Sequence, residues 1–227
     1  MLKIDLHVHS HYSTDGISKP EELLRTAKAR GIGFAITEHN NCDSRKRLFE
    51  LNKKFKIPLI FGEEKKLYSE EKMVGELLFY FLEKPIESKD LFEAIDEARK
   101  QDAIISVAHP FDIMRKPFWH GFRKLEEVKT KIDAVEAFNA RVWFGAMNRR
   151  AEQFAEQNRL GFTAGSDAHT PKELGNAVAV CNADSLEEFR KCLKKKQAFF
   201  EGRLANPIVH FYSSLKSFGI IKSDLRE

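Results

Sequence analysis

The stretch Leu2-Lys3-Ile4-Asp5-Leu6-His7-Val8-His9-Ser10 predicts an apolar β-strand that ends in two histidines, one residue apart. Side chains alternate faces along a strand, so His7 and His9 point the same way. Two imidazoles on one face at a strand end suit a metal ion. Taken alone, a solvent-facing or structural histidine pair is the commoner explanation, so the rest of the chain decides between the two.

The same pattern recurs after later predicted strands, and this recurrence favours a metal site. Ligand-type residues follow the apolar runs at Thr37-Glu38-His39-Asn40, Glu63-Glu64, His109-Pro110 and Asp167-Ala168-His169. Helical segments separate the strands, which indicates an α/β fold with a mostly parallel sheet. An open sheet gathers a site at one switch point, whereas all the strand ends of a barrel meet at one mouth. We therefore expect an α/β barrel with its site at the C-terminal strand ends.

Composition sets limits on the class of protein. With 227 residues, 42% hydrophobic and 32% charged, the chain predicts one globular domain over residues 1–227. A net charge of +4 is too mild to indicate nucleic-acid binding, but it suits an anionic substrate. The three cysteines are odd in number and lack metal-site spacing, so we expect neither a disulfide framework nor a structural zinc. The absence of a leader pattern or spanning segment predicts a cytoplasmic protein, and the oligomeric state is not predicted.

The candidate ligands are histidines and carboxylates near the predicted strand ends. They are His7, His9, Asp15, His39, Glu64 (or Glu63), Glu76, His109, Asp167 and His169, with Asn139 as a weaker member. This set is too large for one tetrahedral zinc, and its mixed donors suit two or three divalent ions such as Zn, Mn or Fe. Clustered metals of this kind can bind a phosphate, activate a bridging water and stabilise the leaving oxygen.

Four motifs in order resemble those of the PHP superfamily, named for polymerase and histidinol phosphatase domains. They are Asp5-Leu6-His7-Val8-His9-Ser10 with Thr14-Asp15-Gly16, Thr37-Glu38-His39-Asn40, Ala108-His109-Pro110-Phe111, and Gly165-Ser166-Asp167-Ala168-His169. The resemblance covers nearly the whole chain. It implies a distorted (β/α)7 barrel similar to a TIM barrel, and hydrolysis of phosphate esters with up to three metals.

The resemblance also implies a role for each ligand. The first metal would be held by His7, His9 and Asp167, the second by His109, and the third by Asp15, His39 and His169. A glutamate after the third strand would bridge the first two metals, and the pattern Gly-any-Glu favours Glu64 over Glu63. Glu76 stands where the family usually has a histidine. A carboxylate there would favour harder ions such as Mn²⁺, but the alternative is that Glu76 is only an exposed strand residue.

The expected reaction is attack by a metal-bound hydroxide on a phosphomonoester or a small nucleotide-type phosphoester. His39 or His169 would assist proton transfer, while Asn139, Arg141 and Arg115 would bind the substrate. The expected partner is thus a small phosphorylated molecule. Two alternatives remain open: a nuclease-like hydrolase acting at the 5′ ends of oligonucleotides, and a scaffold that binds RNA or protein without catalysis.

Overall fold

The computed structural model describes residues 1–114, 122–206 and 208–209, so the candidate Arg115 lies outside the described residues. The strands are β1 (Leu2–Val8), β2 (Gly33–Ile36), β3 (Leu59–Ser69), β4 (Lys72–Tyr80), β5 (Ile104–Val107), β6 (Ala134–Asn139), β7 (Gly161–Gly165), β8 (Ala177–Cys181) and β9 (Phe199–Gly202). The helices are α1 (Pro20–Arg30), α2 (Arg45–Phe55), α3 (Leu91–Lys100), α4 (Leu125–Val128), α5 (Gly145–Gln157) and α6 (Leu186–Lys194). This order confirms the predicted alternation of strands and helices.

The strands form a closed α/β barrel. They neighbour one another in chain order, and β8 also pairs with β1, which closes a ring of 8 strands across the described residues. The TIM-like fold class is therefore confirmed. The ring is mixed rather than all-parallel, because β4 and β8 run antiparallel to both of their neighbours in the ring. Strand β9 adds to β8 outside the ring.

The long antiparallel hairpin of β3 and β4 is one reason why the ring is not all-parallel. Sequence patterning predicts a strand over 58–62, where the apolar run ends, but β3 continues to Ser69. The charged residues Glu63, Glu64 and Lys65 belong to the strand and are buried within it. Glu70 and Glu71 form the turn with φ values of 51° and 62°. Positive φ at both turn residues is typical of a type I′ hairpin, which usually carries Asn or Gly. Two glutamates give no such signal in the sequence.

Helix α6 covers the end of the barrel opposite the strand termini that carry the site. Phe189 of this helix packs in one buried cluster with Ile4, Ile60 and Ile104, which lie near the starts of β1, β3 and β5. Closing this end with apolar contacts leaves the C-terminal strand ends as the mouth. Among the described residues, no helix combines the length and the apolar character that crossing a bilayer requires.

Two sequence expectations are wrong. Cys181 and Cys192 form a disulfide, because α6 folds back against β8 and brings together two cysteines 11 residues apart; the free thiol is Cys42. The spacing of two cysteines in the sequence does not show that a helix will pack one of them against the strand that carries the other. The apolar pattern also allows a short strand over 208–212, which is contradicted at residues 208 and 209 because they are helical; residues 210–212 lie outside the described residues.

Candidate metal centre

Glu64 lies at the centre of the predicted ligand set. Its Oε1 is 3.0 Å from His109 Nε2, and its Oε2 is 2.9 Å from His39 Nδ1. The same Oε2 is 3.3 Å from His7 Nε2 and 3.4 Å from His9 Nε2. Four histidines from three strand ends, those of β1, β2 and β5, therefore converge on one fully buried carboxylate.

Asp167 lies beside the two histidines of β1. Its Oδ1 is 3.7 Å from His7 Nε2 and 3.4 Å from His9 Nε2. The residue follows β7 and has a φ of 54°, a left-handed conformation that redirects the chain at the mouth of the barrel. The backbone N–H of His9 donates to the carbonyl of Ala168 at 2.9 Å, which joins the first and last strand ends of the site.

Asp15, His39 and His169 form the side of the centre that is nearest to solvent. Asp15 Oδ1 is 3.3 Å from His39 Nε2, and Asp15 Oδ2 is 3.1 Å from His169 Nε2. The ring of His9 lies 4.3 Å from that of His39 and 4.5 Å from that of His169, between centroids. The side chain of Asp15 is 25% exposed, compared with 4% for His169.

Glu76 also enters the centre. Its Oε2 is 3.5 Å from His109 Nε2, and the side chain is only 5% exposed. The alternative in which Glu76 is an exposed strand residue is therefore wrong. Glu63 points away instead, since its carboxylate accepts the Ile86 N–H at 2.9 Å and lies 3.2 Å from Lys65 Nζ.

The donor atoms of the centre fit divalent metals. Among the described residues, several of these buried atoms make no hydrogen bond of acceptable geometry, although an imidazole or a carboxylate lies close to each: His7 Nε2, His9 Nε2, His39 Nδ1, Asp15 Oδ1 and Glu64 Oε2. Buried polar atoms without partners are rare because they are costly. Overlapping groups of three ligand candidates place one donor atom each within 4.8 Å of the others. Imidazole and carboxylate donors in this arrangement suit Zn, Mn or Fe.

Electrostatics shows the same preference for positive charge. Burial alone would lower the pKa of His7, but Glu64 and Asp167 overcome it and hold that pKa well above its usual value. Burial would raise the pKa of Glu64, but His7 and His39 hold it well below its usual value. In contrast, burial and the neighbouring His39 and His169 lower the pKa of His9. Without metal, protons on part of the histidines thus balance the buried carboxylates.

The two described substrate-binding candidates have different surroundings. The amide of the buried Asn139 donates to Asp167 Oδ2 at 3.2 Å and to Glu136 Oε2 at 3.1 Å, so Asn139 supports a ligand from behind. Arg141 Nη1 donates to the carbonyl of Asp167 at 3.4 Å, and its Nε is 3.5 Å from Glu173 Oε1. Its guanidinium therefore lies next to the centre and remains a candidate for anion binding.

Three acids support the ligands: Asp5, Glu38 and Glu136. The resemblance to the PHP family already implies a supporting place for Glu38 beside His39, whereas sequence reasoning missed Asp5 and Glu136. Asp5 accepts from the backbone of Ser166 at 2.8 Å, and burial raises the pKa of Asp5 to about 7. Glu38 accepts from Ser13 Oγ at 2.5 Å, and that oxygen is 3.2 Å from His9 Nδ1. The available signal was an isolated acid within an apolar strand, since burying a charge requires specific partners.

Comparison with known proteins agrees with this geometry. The PHP domain family matches residues 5–204. An uncharacterized protein of Methanocaldococcus jannaschii is 36% identical over 179 residues, which is 78% of this chain and 69% of that protein. A two-domain protein from Bacteroides vulgatus containing a predicted PHP-like metal-dependent phosphoesterase superposes with a TM-score of 0.75 at 22% identity, covering 95% of this chain and 69% of that one.

An amidohydrolase from Chromobacterium violaceum, solved with bound sulfate and no metal, superposes with a TM-score of 0.64 at 14% identity. That alignment covers 84% of this chain and 96% of that one. At these identities the structural matches show a shared fold, whereas the family match extends over most of the sequence and includes every described ligand candidate. The chain therefore belongs to the PHP domain family.

Proposed function

We propose that this protein is a metal-dependent hydrolase of small phosphate esters. The observation that carries the proposal is the convergence of buried, unpartnered imidazole and carboxylate atoms around Glu64 at the mouth of the barrel. A purely structural polar cluster would satisfy these atoms with hydrogen bonds. Family membership supports the same class of reaction.

The ligand groups divide by position. His7, His9 and Asp167 would hold one metal, with Glu64 shared between it and a neighbour near His109 and Glu76. Asp15, His39 and His169 would hold another on the exposed side. Bound metals would neutralise charge on a phosphate and lower the pKa of a coordinated water. We propose two or three ions, drawn from Zn, Mn and Fe.

The remaining work falls to side chains around this set. Arg141 lies beside Asp167 and supplies a permanent positive charge for a phosphate oxygen. In a two-metal form, in which Asp15, His39 and His169 hold no ion, the two histidines flank Asp15, the most exposed ligand candidate, and either could move a proton between solvent and the leaving oxygen. The opposite side, around His7, is fully buried and excludes water.

Metal analysis followed by a phosphatase screen tests this proposal. We expect at least two equivalents of divalent ion after reconstitution, and release of inorganic phosphate from phosphomonoesters or mononucleotides. Arg141→Met should raise KM for the phosphate ester while leaving metal content unchanged. Less than one equivalent of metal would contradict the proposal, as would full metal loading without hydrolysis of any phosphate ester. Preferential cleavage of oligonucleotide 5′ ends would instead favour the nuclease-like alternative.

A further inference from the structure

Glu136 lies directly behind the metal centre, and the proposed function gives it no role. It stands in β6 between the apolar residues Val135 and Ala137, and its side chain is 1% exposed. A buried carboxylate is strongly unfavourable unless several donors compensate for its lost hydration. Its partners should therefore explain why a charge is placed there.

A bulge in β6 turns Glu136 and Asn139 toward the same side. The pairing with β7 passes from Glu136–Thr163 to Phe138–Ala164, so Ala137 has no counterpart. Residues three apart in a regular strand face opposite sides, but one extra residue restores a common face. Asn139 Nδ2 then donates to Glu136 Oε2 at 3.1 Å.

The Glu136 carboxylate contacts ligand candidates from different strand ends. Its Oε1 is 2.9 Å from His7 Nδ1, and its Oε2 accepts the backbone N–H of His109 at 2.8 Å. The Asn139 Nδ2 that donates to Glu136 also donates to Asp167 Oδ2 at 3.2 Å, so the amide connects the two carboxylates. One side chain thus links three candidate ligands that the fold supplies from β1, the end of β5 and the end of β7.

These contacts determine what His7 and His109 can present to a metal. A carboxylate only accepts hydrogen bonds, so the proton of a neutral His7 lies on Nδ1, and Nε2 keeps its lone pair toward Glu64, 3.3 Å away. His109 has a φ of 26°, which is unusual for a residue with a Cβ. The bond from its N–H to Glu136 helps to hold that conformation.

We propose that Glu136 is a positioning residue of the metal centre, which fixes the Nδ1-protonated tautomer of His7 and the backbone of His109 so that both direct Nε2 at the metals. The inference rests on the metal-binding part of the proposed function and is independent of the substrate. Mutation of a residue that accepts a hydrogen bond from a metal-ligating histidine typically lowers metal affinity 10–100-fold.

Glu136→Gln tests the proposal, with Glu63→Gln as a matched control. Glutamine keeps the shape of the side chain but replaces one accepting oxygen with an NH₂ donor, so it cannot accept from His7, His109 and Asn139 together. We expect Zn²⁺ or Mn²⁺ binding, measured by competition with a chromophoric chelator, to weaken about 10–100-fold. Glu63 is equally buried but faces Ile86, so its variant should bind metal like the wild type.

Nitrogen-15 NMR of labelled histidines supplies a second readout that a purely structural role would not move. In zinc-loaded wild type, His7 should carry its proton on Nδ1, and Glu136→Gln should disturb that signal. Wild-type metal affinity in Glu136→Gln, or a His7 without a protonated Nδ1 in the wild type, would overturn the proposal. If the variant does not fold, the wild-type spectrum alone decides. A wild type that binds no metal would instead overturn the proposed function, and this inference with it.

Discussion

His9 and Asp167 meet in the buried interior of the centre, with His9 Nε2 and Asp167 Oδ1 3.4 Å apart. We expect His9→Ala and Asp167→Ala to remove nearly all hydrolysis while the barrel remains folded, because each would delete a proposed metal ligand and with it the positioning of the attacking water. Steady-state kinetics and circular dichroism check this. Retention of more than about a tenth of wild-type kcat/KM would contradict the assigned role, since that loss is only about 1.4 kcal/mol.

Glu76 stands where the resemblance to the PHP family implies a histidine, and its carboxylate lies 3.5 Å from His109 Nε2. Glu76→His should keep activity and shift metal preference toward Zn²⁺, because imidazole suits zinc better than a hard carboxylate does. Glu76→Ala should weaken the site between Glu64 and His109. Titration of Mn²⁺ and Zn²⁺ into metal-free wild type and both variants separates these effects. Unchanged stoichiometry and affinity in Glu76→Ala would falsify its role as a ligand.

At the level of single residues, the sequence placed the described ligand candidates at strand ends that the structure brings together, and their binding of metal stays a prediction. His7 and His9 were accessible to prediction because strand alternation fixes their common face. Glu136 and Asp5 were not, since their roles depend on hydrogen bonds to residues distant in sequence, such as Ser166. Asn139 was expected to touch substrate, whereas its neighbours in space make it a support for Asp167.

Secondary-structure elements show where local patterns are insufficient. The type I′ turn between β3 and β4 uses Glu70 and Glu71, both with positive φ. A residue with a Cβ loses about 1–2 kcal/mol in this conformation. The hairpin therefore forms because its buried strands pair along their length, and no turn residue predicts it.

Glu71→Gly should stabilise this hairpin by about 1 kcal/mol, because glycine adopts a positive φ without steric penalty. The free energy of unfolding in urea measures the change. Gln153→Gly, at an exposed position inside α5, is the control and should lose about 0.5–1 kcal/mol, since glycine weakens a helix interior. A loss of stability in Glu71→Gly would show that its side chain contributes more than the strained backbone costs.

For the whole molecule, metal binding should be coupled to proton release. The carboxylates around His7 and His39 hold both pKa values well above the usual value, so both histidines carry protons at neutral pH without metal. A metal must displace these protons, so its affinity should fall as pH decreases. Calorimetric titration of Zn²⁺ in two buffers of different ionisation enthalpy gives the number released. Equal heats in both buffers would contradict the expectation.

The ring closes where β8 pairs with β1, and ligand candidates lie on both sides of this closure: His7 in β1 and Asp167 between β7 and β8. Asp5 accepts the N–H of Ser166 across a sequence separation of 161 residues, so this contact joins the first and last ligand-bearing segments by closing most of the chain into a loop. Closing so long a loop is entropically unfavourable and slow. A metal held by His7 and Asp167 would link the segments on the two sides of the ring closure and so stabilise it. Chelation should then speed amide hydrogen exchange in β1 and β8 more than in α3, which carries no ligand candidate, so that loss of the metal loosens the barrel first where its ring closes.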